Sequence, residues 1–365
     1  MHRSRFLLAG LLGIGLSFAA TVTPANAAPA DRWGFARVDD PTVPAWTSLN
    51  PAFQATSPAS PVVEGGKVGT GRFQVRFLGL GIGSRGNVHV TAVHRRGNFC
   101  EIVRWFVAAG PDEIVEVQCF APGGVPEDTP FTVLWSLNAT TVPSTAGTYA
   151  SVHYGTAGFL EIFNSTGAAV KVKPVSTGVV QVTFEKVGVA GAGRTGNLQV
   201  TAVSRTGDPR RCKVGGWDPS NADMIVNVLC FDAAGNLVDT EFTASYHRER
   251  SVLTVLGPPK YLGYVWSNSL AASVAPQTNY NVVVGGFGAN VVTYPFSDIE
   301  VQFAKLHVDE NHIQVTAVGA DPNYCTIAKR WLVSSSTDIY MHAICFDPAG
   351  NIVPEDAFIT LTNRS

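Results

Sequence analysis

At 365 residues and 38.7 kDa, the chain is too long for one comfortable core and suits two or three domains. Hydrophobic residues make up 45% and charged residues only 15%, which excludes wholesale disorder and argues against long solvated helices. The formal charge of −2 lacks the basic excess that a phosphate backbone would select, so no nucleic-acid partner is expected.

Residues 1–28 have the form of a secretory signal peptide. His2, Arg3 and Arg5 give a positive start, Phe6 to Ala20 is apolar, and Ala25-Asn26-Ala27 is a small-x-small cleavage site. Cleavage is expected after Ala27 or Ala28, with a retained N-terminal anchor as the competing reading. No later run is long and apolar enough to span a bilayer, so no membrane span is expected after cleavage. The expected location is therefore secreted and extracellular. The Ala, Gly and Val richness is of the kind found in GC-rich bacteria.

The remainder is written three times. Val-Thr-Ala begins at Val90, Val200 and Val315, and Cys-Phe follows at Cys119, Cys230 and Cys345, so both markers recur every 110–115 residues. Between them stand Cys100, Cys212 and Cys325, each followed five or six positions on by Trp105, Trp217 or Trp331. After Cys-Phe come Gly124, Gly235 or Gly350, then Asp128, Asp239 or Asp356, then Phe131, Phe242 or Phe358. A period this long exceeds any solenoid or propeller-blade repeat, so each copy should be a whole domain.

Strict alternation marks the strands. Phe73, Val75 and Phe77 alternate with polar residues, as do Val180, Val182 and Phe184, and Ile299, Val301 and Phe303. In the next strand Val88, Val90 and Ala92 should face inward, with His89 and Thr91 outward to solvent. Outside the leader no long stretch has the helical period. The expected fold class is all-β: three tandem antiparallel β-sandwich or small β-barrel domains, each with one intradomain disulfide. The domains are placed at 31–136, 147–247 and 261–365, joined by linkers at 137–146 and 248–260.

Each copy holds two cysteines, 18 to 20 residues apart, at the two ends of what reads as a hairpin. Facing residues of an antiparallel pair lie within disulfide reach, and export is oxidising, so Cys100–Cys119, Cys212–Cys230 and Cys325–Cys345 are the expected bridges. Metal or redox use is the rival reading, weakened by the absence of Cys-x-x-Cys.

Chemistry-bearing clusters are few. His307, Asp309, Glu310 and His312 crowd one hairpin of the third copy and form a candidate metal site, against the alternative of a solvated tip. The Asp232-Ala-Ala-Gly-Asn and Asp347-Pro-Ala-Gly-Asn segments read as turns rather than calcium loops. Trp105, Trp217 and Trp331 should pack near the disulfides, while Trp33, Trp46, Trp135 and Trp266 are candidates for surface binding. Arg205, Arg210, Arg211 and Lys213 read as a solvated loop. No nucleophile elbow, His-Glu-x-x-His, phosphate loop or dinucleotide fingerprint is present, and neither a catalytic residue nor a cofactor is expected.

The line Val-Thr-Ala … Cys … Trp … Val-x-Cys-Phe-Asp-x-Ala-Gly-Asn … Asp … Phe resembles a unit found in tandem in uncharacterised exported proteins of actinobacteria and similar bacteria. The resemblance covers essentially the whole mature chain and implies architecture and export alone. The first copy departs from it, with Ala121-Pro-Gly-Gly where the others have Asp-x-Ala-Gly. The expected function is non-enzymatic adhesion or recognition through multivalent β domains, the partner being an extracellular ligand such as a glycan or cell-surface polymer. The alternatives are a secreted hydrolase with its site in the third copy or between domains, and a structural or protease-inhibitor protein.

Overall fold

The fold is that of a computed structural model, described for residues 31–364 except 60–61, 82–84, 109, 142–146, 190–195, 220–221, 252, 254–260, 269–277, 296 and 334–336. The expected leader at 1–28 lies outside the described residues, as do parts of both linkers.

The architecture is all-β, with one 3-10 turn at Pro51–Phe53 among the described residues. The first region holds β1 (Arg32–Val38), β2 (Thr47–Ser48), β3 (Gln54–Ser57), β4 (Val63–Gly69), β5 (Arg72–Phe77), β6 (Asn87–Ala92), β7 (Phe99–Val107), β8 (Glu113–Phe120) and β9 (Phe131–Leu137). The second holds β10 (Thr148–Gly155), β11 (Gly158–Asn164), β12 (Val170–Ser176), β13 (Val179–Phe184), β14 (Asn197–Val203), β15 (Arg210–Asp218), β16 (Met224–Asp232) and β17 (Glu241–Arg248). The third holds β18 (Leu262–Ser267), β19 (Asn279–Asn281), β20 (Gly286–Phe287), β21 (Val291–Thr293), β22 (Ile299–Phe303), β23 (Asn311–Val318), β24 (Tyr324–Ile327), β25 (Leu332–Val333), β26 (Ile339–Phe346) and β27 (Asp356–Asn363).

Each region is a pair of sheets closed on its own apolar interior. In the first, β3-β1-β9-β6 faces β2-β4-β5-β8-β7; in the second, β11-β10-β17-β14 faces β12-β13-β16-β15. In the third, β20-β19-β18-β27-β23 faces β21-β22-β26-β24. The alternating residues fill these interiors as their period requires: Phe73, Val75, Phe77, Val182, Phe184, Val301 and Phe303 are wholly buried.

The cysteines sit directly opposite each other in the β7–β8, β15–β16 and β24–β26 ladders and form Cys100–Cys119, Cys212–Cys230 and Cys325–Cys345. Their Cα atoms are 4.0, 4.1 and 4.0 Å apart. Each bridge closes a short loop, so Cys212→Ala with Cys230→Ala should cost about 3 kcal/mol by the chain-entropy relation, measured by urea unfolding. Three disulfides indicate an oxidising environment, and among the described residues no helix is long and apolar enough to cross a membrane.

The regions close into a ring. Val203 at the end of β14 pairs in parallel with Ile102 of β7, and Val318 of β23 pairs in parallel with Val214 of β15. Val93, just past β6, pairs in parallel with Ile327 of β24, so the third region returns to the first. One amide continues each contact: Ser204 N–H to Ile102 O at 2.8 Å, Gly319 N–H to Val214 O at 2.9 Å, and His94 N–H to Ile327 O at 2.8 Å. The same three valines leave their own regions and join a neighbour's core, Val203 in the first, Val318 in the second and Val93 in the third. The arrangement has the symmetry of a pseudo-threefold ring.

The turns after the Cys-Phe pairs meet at one end of the ring axis. Gly124 lies against Pro209, Gly235 against Pro322 and Pro348, and Gly350 against Pro122. Each of these glycines has φ near +90°, a conformation that also leaves no space for a Cβ against the facing proline.

Candidate functional site

At the ring centre the three Val-Thr-Ala strands, β6, β14 and β23, bring their polar faces together. Val90 N–H donates to Thr201 Oγ1 (3.4 Å), Val200 N–H to Thr316 Oγ1 (3.1 Å) and Val315 N–H to Thr91 Oγ1 (3.2 Å). Each threonine thus accepts the amide of the preceding region's strand, around a closed cycle. This is why the tripeptide recurs: its valine fills the region's own core, and its threonine satisfies a neighbour's backbone.

Imidazoles surround this layer, one at each junction. His89 contacts Thr201 Oγ1 (3.1 Å) and Ser245 Oγ (2.8 Å), His247 contacts Thr360 Oγ1 (3.4 Å), and His312 contacts Thr132 Oγ1 (2.6 Å). Burial holds each of the three imidazoles down at a pKa of about 3, and so neutral in the physiological range. The expectation of a solvated His89 is therefore corrected: it is 2% exposed, because the face that turns from its own core is covered by the second region.

The strand position after the first cysteine also reaches across each junction. The buried Glu101 accepts Arg210 N–H at 2.7 Å, and burial pushes its carboxyl well above the usual range. Lys213, 3% exposed, pairs with Asp321 (2.9 Å) and Glu355 (3.4 Å) of the third region. Burial raises Glu355 to about 7. Thr326 Oγ1 donates to His94 O of the first region at 2.9 Å. The solvated-loop reading of the basic cluster holds for Arg205, half exposed and paired with Glu241, and fails for Arg211 and Lys213, which lie buried on β15.

The expected metal site is also corrected. His312 is 1% exposed and turned to the first region, and Glu310 pairs with Arg364 at 3.2 Å. Asp309 is exposed, and His307 anchors its backbone N–H on Thr337 O at 2.8 Å. Among the described residues no three His, Cys, Asp or Glu side chains are placed to hold a metal, and these four do not converge. The strand periodicity carries the reason, because His312 is inside β23 and not at the loop tip.

Of the aromatics expected to bind at the surface, only Trp46 is exposed; Trp33 and Trp135 are buried. Trp266 stands 4.6 Å from Trp217 in a cluster with Phe358 that joins the second and third regions. Trp105 and Trp331 are core residues of the clusters that contain their disulfides. Phe358 does not take the place of Phe131 and Phe242. Ala357 pairs with Ala317 where Phe131 pairs with Ala92 and Phe242 with Ala202, so Phe358 faces the opposite way, onto Trp217. The Asp-x-x-Gly-Asn segments are turns, with Asp232 and Asp347 each accepting the backbone N–H of Asn236 and Asn351 at 2.9 Å.

One outward-facing site suits a ligand. In the second region a cleft of about 250 Å³ opens beside edge strand β12, where Tyr154, Pro174, Val175 and Val180 meet Asp239 and Thr240. Val175 is 55% exposed. Leu160 (53% exposed) lies over Gly155, and Leu237 (42% exposed) lies beside Gly178, both next to the cleft wall. In the first region Lys67 closes on Asp128, whereas here Asp239 accepts only the Gly178 N–H, at 2.7 Å, among the described residues. No motif marks this cleft; the one available signal is edge strand β11, Gly-Phe-Leu-Glu-Ile-Phe-Asn, which is apolar on both faces where a solvated edge would alternate. Compared with family models, curated proteins and solved structures, the chain matches none.

Proposed function

We propose that the chain is an exported, non-enzymatic bacterial recognition protein, freed of residues 1–28, that holds an extracellular glycan or cell-surface polymer in the cleft of its second region. The observation that carries this reading is a cleft lined by exposed Val175, in which Tyr154, Asp239 and Thr240 converge, with exposed Leu237 against its Gly178 and exposed Leu160 against Gly155 beside it. An aromatic ring with a carboxylate and a hydroxyl suits the apolar face and hydroxyls of a sugar. The three disulfides support an oxidising destination.

The ring changes how the copies serve binding. Flexibly tethered beads would gain avidity, whereas copies locked in one body present fixed and unequal surfaces. The corresponding cleft of the third region, beside Tyr294, Ile299 and Val353, is about 120 Å³. One dominant site is therefore expected. The mature protein should be retained on at least one polymer in a panel of glycans and bacterial envelope polymers. Val175→Lys with Leu237→Lys, both at exposed positions, should weaken that retention at least about tenfold, since the apolar rim is lost. Retention unchanged by these substitutions, or no retention on any polymer, rejects the proposal.

A further inference from the structure

We infer that the chamber on the ring axis is a halide site, in which Arg211 holds a chloride-sized anion. The inference stands apart from the outer cleft. The chamber measures about 60 Å³ and is walled by the three Val-Thr-Ala tripeptides, with Arg211 and Tyr324 at one side. Such a volume has room for a few waters or one small ion.

Arg211 is 6% exposed and precedes the disulfide-bonded Cys212 on β15. Its Nη2 donates to the carbonyls of Asp232 (3.1 Å) and Ala233 (3.3 Å), while Nε and Nη1 are buried with no carbonyl or carboxylate partner among the described residues, the Tyr324 hydroxyl being the polar side-chain group that interacts with the guanidinium. The guanidinium carbon lies 4.3 Å from the ring centre of Tyr324 and 5.0 Å from that of Phe99. Neighbouring Arg210 pairs with Asp208, and Lys213 with Asp321 and Glu355, whereas Arg211 forms no ion pair among the described residues. The carboxylates nearest in effect, Asp232 and Asp347, are engaged with the amides of their own turns. A buried cation with two idle nitrogens, Nε and Nη1, is costly unless an anion shares its site.

The lining selects the kind of anion. The threonine hydroxyls of the wall already accept neighbouring amides, and the rest of the wall is largely valine and alanine. A tetrahedral oxyanion would bring four acceptor oxygens to two donor nitrogens on one side of an otherwise apolar wall; a halide is weakly hydrated and leaves no oxygen unpaired. Entry is from the axial mouth, a depression of about 480 Å³ floored by Pro209, Ala233, Pro348 and Ala349, with Arg210 lining both spaces.

Thermal unfolding of the mature protein in sodium chloride and in sodium gluconate at equal ionic strength tests this. Chloride should raise the wild-type Tm by about 2–4 °C, as expected for a site well above half saturation, and Arg211→Met should remove the difference. Crystals of the wild type soaked in bromide should show an anomalous peak within hydrogen-bond distance of Arg211 Nε or Nη1, independently of how the variant folds. Equal Tm values in the two salts, or an axis without bromide, overturns the inference. A rise in sulfate without one in chloride overturns it equally.

Discussion

Replacing Thr91, Thr201 and Thr316 together by valine should destabilise the protein by about 3–9 kcal/mol, from three buried amides at about 1–3 kcal/mol each. Valine keeps the shape of threonine but cannot accept the N–H of Val90, Val200 or Val315. The three sites share one layer, so their effects should couple rather than add strictly. Thr201→Val also removes a partner of His89, and Thr316→Val removes the donor to Gln199 Oε1, so these two should cost more singly than Thr91→Val. The matching serine variants retain the oxygen and should recover most of the loss. Urea unfolding of each variant measures this, and a triple valine variant within about 1 kcal/mol of wild type would mean that the central bonds contribute little.

Acid should open the ring. His89, His247 and His312 are buried and neutral with pKa values of about 3, so the native state refuses protons that the unfolded chain takes up below about 6.5. Their stabilising contribution is complete above that value and is lost as pH falls toward 3, at about 1.4 kcal/mol per pH unit for each proton. Two carboxyls oppose this. Glu355, raised to about 7, and Glu101, raised by burial, favour the protonated native state, so their contribution is lost as pH rises. Between about 4.5 and 6.5 the three buried histidines, joined by His94 and His342, whose imidazoles burial also holds down, outweigh the two carboxyls, and stability should fall with acidification. Below about 4.5 those two carboxyls are protonated in both states, while Glu116, Asp232, Glu241 and Asp347, held down by their ion pairs and hydrogen bonds, add to the protons taken up on unfolding, so the decline should steepen. His89→Gln, the residue type present at Gln199 and Gln314, should shift the acid midpoint downward while preserving the fold. Unfolding free energies across pH 3–8 decide this; a flat profile to pH 3 would contradict it.

Much of the architecture was legible because period-two alternation and paired cysteines are local signals. Phe73, Val75 and Phe77 point into a core as their spacing requires, and each cysteine pair faces across one hairpin. Alternation identifies the face toward a strand's own core; it does not say what covers the other face. Alternation therefore assigns His89, Thr91 and Lys213 to solvent and His312 to a ligand set, whereas all four line junctions between regions. A usable signal existed: threonine recurs at 91, 201 and 316, and a solvated position has no need of one hydroxyl in all three copies. Phe358 shows the opposite limit, since a one-residue change of register reverses the side-chain direction without altering composition.

Small-angle X-ray scattering of the mature chain tests the closed ring most directly. Three sandwiches in one compact body should give a radius of gyration of about 20 Å, the scaling value for a single globule of this length. A string of separate domains would give about 30 Å, and that result would contradict the contact between Val93 and Ile327 on which closure depends.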